Sequence, residues 1–166
     1  VEIAMERLTD KQVLSAMMSV MNKVVSTTKC MRRATACVVV TTQLEPFVQT
    51  MNAYLNGPLG SHVCTGIKGG CGCCHAEMRA VVDMIACQAD EERAIQDRGP
   101  LDSQTDDYEL WSFLSPCSSC ANLIIAAKLG QHVRIDRVVY VEELEHDQLG
   151  KRILRGCGID VVKADR

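Results

Sequence analysis

Aromatic side chains are scarce in this sequence: one Trp, three Tyr and two Phe among 166 residues. A core must therefore rest on Val, Ile, Leu, Ala and Met, and a broad hydrophobic share of 47% is enough to build one. Basic excess is missing too. The formal net charge is −3, and no basic stripe marks a surface that would wrap a nucleic acid backbone, although a small polyanion could still bind locally. No apolar run reaches the roughly 18 residues that span a bilayer, which argues against a membrane partner. The first apolar stretch is charged and amphipathic, unlike a secretory signal. The chain opens at Val1 rather than Met, leaving room for a few residues ahead of it. Internal repeats are absent. Length and composition fit one domain over residues 1–166.

Cysteine, by contrast, is abundant, with ten residues. In a short secreted chain that number would suggest a disulfide framework. Here no secretory signal accompanies it, helical patterns surround it, and several cysteines cluster near a histidine. The pattern favours reduced thiols and metal binding in a cytoplasmic compartment.

Periodicity predicts a run of alternating elements. Residues 8–28 read as an amphipathic helix, with Val13, Leu14, Met17, Met18, Met21, Val24 and Val25 on one face. The β-branched run Ala36 to Thr42 reads as a buried strand, and residues 47–54 as its hairpin partner. Turn residues fill 56–61, and the Gly/Cys-rich stretch 64–74 suits neither element. A helix is predicted over 75–89, then an acidic helix end running into a surface loop over 90–107. A strand over 108–114 and a helix over 117–129, ended by Gly130, come next. The remaining elements are a strand over 137–141, a helix over 146–156 and a last strand over 159–162. Alternation of this kind indicates a three-layer α/β/α fold around a central mixed five-stranded sheet.

Two short segments carry chemistry: His75-Ala76-Glu77 and Pro116-Cys117-Ser118-Ser119-Cys120. Each sits where a loop or strand gives way to a helix. Helix N-termini hold unsatisfied N–H groups and partial positive charge, which favour Cys117 and Cys120 as thiolates. Three residues apart on a helix, the two sulfurs share a face. Pro116 fits ahead of the helix, where its missing N–H costs little. Two thiolates and the imidazole of His75 make three ligands. Zinc prefers four, so a fourth position stays open to water, whose pKa the metal pulls toward about 7. Glu77 is placed to reach that water without being a ligand, and to move protons to and from a substrate. Either segment alone is ambiguous. Together, in this order, they match the H-x-E and P-C-x-x-C signature of zinc deaminases. The bland alternative is a closed zinc site without chemistry.

At these residues the chain resembles the cytidine/deoxycytidylate deaminase superfamily, and most closely its phage and bacterial dCMP deaminases. The resemblance spans about residues 10–163. It includes Lys29 to Ala34 ahead of a Val-rich strand, Tyr54-Leu55-Asn56-Gly57-Pro58 (with Leu55 inserted), Leu114 to Ala121, Arg137 to Tyr140, and the ending Leu154 to Val162. Transfer RNA adenosine deaminases share the zinc motifs but match the early segments less well. The resemblance implies hydrolysis of a cytosine mononucleotide, dCMP to dUMP plus ammonia, with attack at C4 and Glu77 protonating N3. It implies that Asn56 holds the sugar or base and that the backbone near Ala76 meets the amide edge. It also implies a homo-oligomer, often a hexamer, and in some members control by dCTP and dTTP.

One departure bears on the substrate. Arg79 stands where the family usually has Asn, Ala86 where it has a later Arg, and Asp83 where an apolar or aromatic residue is common. If that Arg binds the 5′-phosphate, this chain must do it another way, with Arg79, Arg32 and Arg33 as candidates; taken singly, each reads first as a surface cation. A modified cytosine nucleotide, an adenosine or guanine substrate, or a non-catalytic zinc-stapled binding protein are the competing readings.

Some dCMP deaminases carry a second, structural zinc, and Cys30, Cys64, Cys71 and Cys73 occupy comparable places, with Cys74 or His62 as substitutes. Gly69, Gly70 and Gly72 would allow the tight backbone. The alternative is a set of buried free thiols. Cys37, Cys87 and Cys157 are expected in the core, and His132 and His146 on the surface.

Overall fold

The computed structural model describes residues 9–27, 35–41, 46–51, 74–98, 107–130, 133–144 and 147–164, with the side chains of some helical and strand residues left aside. Within these, four helices and five strands follow one another as α1 (Asp10–Thr27), β1 (Ala36–Thr41), β2 (Pro46–Met51), α2 (Ala76–Arg98), β3 (Tyr108–Leu114), α3 (Ser118–Leu129), β4 (Ile135–Glu142), α4 (Leu149–Gly156) and β5 (Asp160–Lys163).

The strands form one sheet in the order β2-β1-β3-β4-β5. β1 runs antiparallel to both β2 and β3, whereas β3, β4 and β5 run parallel, so the sheet is mixed as predicted. Strand alternation sends successive residues to opposite faces. From β1, Cys37 and Val39 face one core with Leu110, Val138 and Val161, closed by α2, α3 and α4 through Ala80, Met84, Ile124 and Leu154. Ala36, Val38 and Val40 face the other with Trp111 and Val139, closed by Val13 and Met17 of α1. Among the described residues Trp111 is the one fully buried aromatic, and small and branched side chains fill the rest of both layers.

Several boundaries differ from the sequence expectation. α2 does not end near residue 89 but continues to Arg98, because the acidic stretch is rich in Ala, Glu, Gln and Arg, all good helix formers. β4 begins at Ile135 and ends at Glu142, longer at both ends than predicted. α4 starts at Leu149 rather than 146, since the Asp147 carboxylate accepts the Leu149 N–H at 3.1 Å and opens the helix there. Its far end closes on Gly158 at φ 72°, with Gly158 N–H bonded to Arg155 O and Ile159 N–H to Leu154 O, a Schellman closure that needs a left-handed residue. Cys37 is buried as expected, but Cys87 and Cys157 are exposed: Cys87 lies on the solvent side of α2, and Cys157 sits in the turn after α4.

Candidate active site

β3 ends at Leu114, and Ser115-Pro116-Cys117 turns the chain into α3 at the carboxyl end of the parallel strands. Crevices at that edge are where open α/β sheets bind ligands. Cys117 is the residue before α3, with an extended backbone (φ −73°, ψ 169°), and its carbonyl accepts the Ala121 N–H at 2.9 Å. One turn on, Cys120 is buried in the α3 face that packs inward. From the other direction α2 begins at Ala76, so His75 stands at its mouth and Glu77 in its first turn.

These elements bring His75, Cys117 and Cys120 together, as the sequence predicted. His75 Nδ1 lies 3.5 Å from Cys117 Sγ and 3.4 Å from Cys120 Sγ, and the two sulfurs are 3.4 Å apart. Among the described residues this is the one group of three or more metal-donor side chains close enough to share an ion. Tetrahedral zinc, with bonds of about 2.3 Å to sulfur and about 2.0–2.1 Å to nitrogen, would set sulfurs about 3.8 Å apart and sulfur from nitrogen about 3.6 Å apart. The triangle matches those spacings to within a few tenths of an ångström, so the donor set fits zinc with one position open.

The shared hydrogen bond drives the two thiols apart in acidity. Cys117 is lowered to about 4, first by the hydrogen bond it shares with Cys120 and then by His75, whereas Cys120 is raised by that same bond and by burial. Sequence reasoning expected the helix N-terminus to favour both thiolates. Two thiolates this close repel, so without a cation one proton stays on Cys120; a bound divalent ion replaces it.

Glu77 is 4% exposed, beside the triangle rather than in it. Ser112 on β3, itself fully buried, donates its hydroxyl to Glu77 Oε1 at 3.0 Å. Burial raises the Glu77 carboxyl above its ordinary value, opposed by its backbone N–H, by the charge of His75 and by the Ser112 bond. A carboxyl poised in this way can both take and return a proton. Ser112 went unnoticed in the sequence, where it looks like one polar residue in an apolar strand. The available signal is its alternation with Leu110, which puts it on the buried face.

The other candidates are distributed differently. Ala76 is fully buried at the start of α2. Arg79 and Asp83 lie on its flank, Arg79 Nε 3.7 Å from Asp83 Oδ2, so the cation proposed for phosphate has an acidic neighbour one turn away. Ala86 is exposed. Cys74, half-buried, has its thiol pushed up by burial. Asn56, Cys30, Cys64, Cys71, Cys73, His62, Arg32, Arg33, His132 and His146 lie outside the described residues.

Comparison with known proteins bears on this site. A family model for the cytidine and deoxycytidylate deaminase zinc-binding region matches residues 9–142. A search of curated proteins finds no match. Among solved structures, the dCMP deaminase of cyanophage S-TIM5 is similar in its apo form, 21% identical over 95% of this chain and 100% of that one, with a TM-score of 0.64. In its complex with dCMP and dUMP the figures are 20%, 95% and 100%, and 0.67. Guanine deaminase from Nitrosomonas europaea is 13% identical over 95% of this chain and 79% of that one, with a TM-score of 0.53. At these identities the likeness establishes a shared fold.

Proposed function

The chain belongs to the family that carries the cytidine and deoxycytidylate deaminase zinc-binding region, and from that premise we propose that it hydrolyses a cytosine mononucleotide, dCMP to dUMP plus ammonia, within a single catalytic domain. The observation that carries the reading is the meeting of His75, Cys117 and Cys120 with a buried carboxylate, Glu77, at their side. The similar cyanophage structure, solved with dCMP and dUMP, supports the choice of base and phosphate.

His75, Cys117 and Cys120 would hold zinc, which when bound would supply a Lewis acid and a water reactive near neutral pH. Glu77 would take a proton from the attacking water and give it to ring N3 as the C4–O bond forms, then take the remaining hydroxyl proton of the adduct and pass it to the amine, which leaves as ammonia as the C4–N bond breaks and the C4 carbonyl forms. Ser112 anchors Oε1 of that carboxylate, so the proton moves from a fixed point. Burial holds the carboxyl nearer to neutrality than an exposed glutamate, which suits a group that must work in both directions. His75 is the exposed corner of the triangle. Ala76 presents backbone to the amide edge of the base, Asn56 holds the sugar, and Arg79 meets the phosphate, displacing its contact with Asp83. Cys30, Cys64, Cys71 and Cys73 hold a second, structural zinc, and the protein works as a homo-oligomer.

An ammonia-release screen across cytosine, adenine and guanine nucleosides and nucleotides tests the proposal. The expected result is turnover of dCMP well above deoxycytidine and above every purine. Purine turnover without cytosine turnover would overturn the substrate, and no ammonia from any of them would overturn the activity. Elemental analysis of the purified protein is expected to give about two zinc ions per chain; a value of one removes the structural site.

A further inference from the structure

Cys117 occupies the position where a helix usually carries a capping side chain, yet its thiol makes no cap hydrogen bond. A thiolate committed to a metal has nothing to spare for the first N–H groups of α3, which need an acceptor from elsewhere. Asp147 supplies it across the fold. Its Oδ2 accepts the Ser118 N–H at 2.8 Å and the Ser118 hydroxyl at 2.9 Å, while its Oδ1 accepts the Leu149 N–H at 3.1 Å. One carboxylate thus ties the N-termini of α3 and α4 together, where both helix dipoles favour an anion.

Gly150 makes the same junction from the other side. A Cβ on it would lie 2.2 Å from the carbonyl oxygen of Pro116, and 2.7 Å and 2.8 Å from the carbonyl carbon and oxygen of Cys117. Backbone therefore rests directly on backbone at Cys117, an approach only glycine permits. Upstream, the Ser115 hydroxyl accepts the Leu144 N–H at 2.7 Å, and the Ser115 N–H bonds Glu142 O at 2.8 Å. Capping alone would require a contact at Ser118. Here Cys117 is held on both sides and pressed at its carbonyl by a single stretch of chain.

We propose that Asp147 and Gly150 form a latch that fixes Cys117 in ligand geometry, making both of them positioning residues of the metal site; this rests on reading Cys117 as a zinc ligand. Groups that orient a ligand from behind commonly govern metal affinity by about 10–100-fold. The latch therefore acts on the grip on zinc, separately from the proton work of Glu77.

The test compares zinc affinity by chelator competition, and the thiolate absorption of the cobalt-substituted protein, in wild type, Asp147→Ala, Asp147→Asn and Gly158→Ala. Asp147→Ala is expected to weaken zinc by about 10–100-fold and to alter the cobalt spectrum. Asp147→Asn, which keeps one acceptor oxygen for Ser118, is expected to recover part of the affinity. Gly158→Ala, at the opposite end of α4, lowers the melting temperature and leaves zinc affinity alone. Wild-type affinity and spectrum in folded Asp147→Ala would overturn the latch. Should Asp147→Ala not fold, Ser118→Ala, which removes only the hydroxyl bond, decides: a few-fold weakening supports the latch and none overturns it. Zinc at this site is the part lost in Cys120→Ala: a wild-type chain with no such zinc would overturn the metal reading along with the latch, whereas that zinc held as tightly in Asp147→Ala as in wild type overturns the latch alone.

Discussion

The His75 side and the Cys117 side of the site meet within 3.5 Å, yet they are built by different means. The Cys117 side is a short turn between β3 and α3, held by hydrogen bonds that it donates to Glu142 and Asp147 and accepts from Leu144, and by close backbone contact at Gly150. The His75 side pairs an exposed imidazole with a buried carboxylate that accepts the Ser112 hydroxyl from β3. Metal grip is thus assigned to a polar, cross-braced turn. Proton chemistry is assigned to a group whose properties come first from burial. The contrast implies that the two functions can be damaged separately.

The largest expected effect breaks the comparison at its shared point. Cys120→Ala removes a donor common to grip and chemistry, so it should empty this site of zinc and drop ammonia release to the buffer background, as metal analysis and an activity assay on the same sample would show. Gly150→Ala should be next. Its new methyl meets backbone that cannot rotate away, and an overpacking cost of about 1–3 kcal/mol is expected in chemical denaturation, together with looser zinc. Ser112→Val sharpens the other side: with the hydrogen bond to Glu77 lost, turnover should fall by about 10- to 100-fold while zinc content stays at the wild-type level. Threonine at the same position matches valine in volume but keeps a hydroxyl, and should retain more activity. Equal losses in both variants would assign the effect to packing.

The smallest effect is on pH. The Asp147 carboxyl is held below its ordinary value, first by the Ser118 N–H, then by the Ser118 hydroxyl and by the N–H groups of Gly150 and Leu149. A carboxyl whose folded value lies below its unfolded value stabilises the fold fully above the unfolded value, about 3.9, and loses that contribution as pH falls through the lowered one. Its contribution should therefore be flat from about pH 5 upward, begin to decline near pH 4 and vanish only below the lowered folded value. Urea midpoints of wild type and Asp147→Asn should converge in acid and separate near neutrality; a constant gap would remove the carboxylate from the account.

Much of this was readable beforehand, and the reasons are local. β3 ran from residue 108 to 114 and α3 ended at Leu129 as their apolar patterns required, and the two ligand segments announce themselves by residue type and spacing. The misses arose where the meaning of a residue depends on a distant partner. Asp147 looked like part of a helix because the carboxylate's acceptor role is visible only once Ser118, 29 positions away in the chain, is beside it. Ser112 is masked by its apolar neighbours, and Cys157 reads as core because its place in a turn depends on Gly158 adopting positive φ. The reach of α2 to Arg98 was legible in its helix formers, but acidic character was read as a loop. The substrate stays outside such reading: charge at Arg79 and Asp83 marks a departure from the family without naming what binds there.

Zinc content and ammonia release from dCMP, measured together on wild type and Glu77→Ala, test the division of labour most directly. The account predicts that the variant holds as much zinc as wild type while turnover falls by about 10²–10⁴-fold, the range expected for losing a positioned acid–base group. Undiminished ammonia release by Glu77→Ala would contradict it.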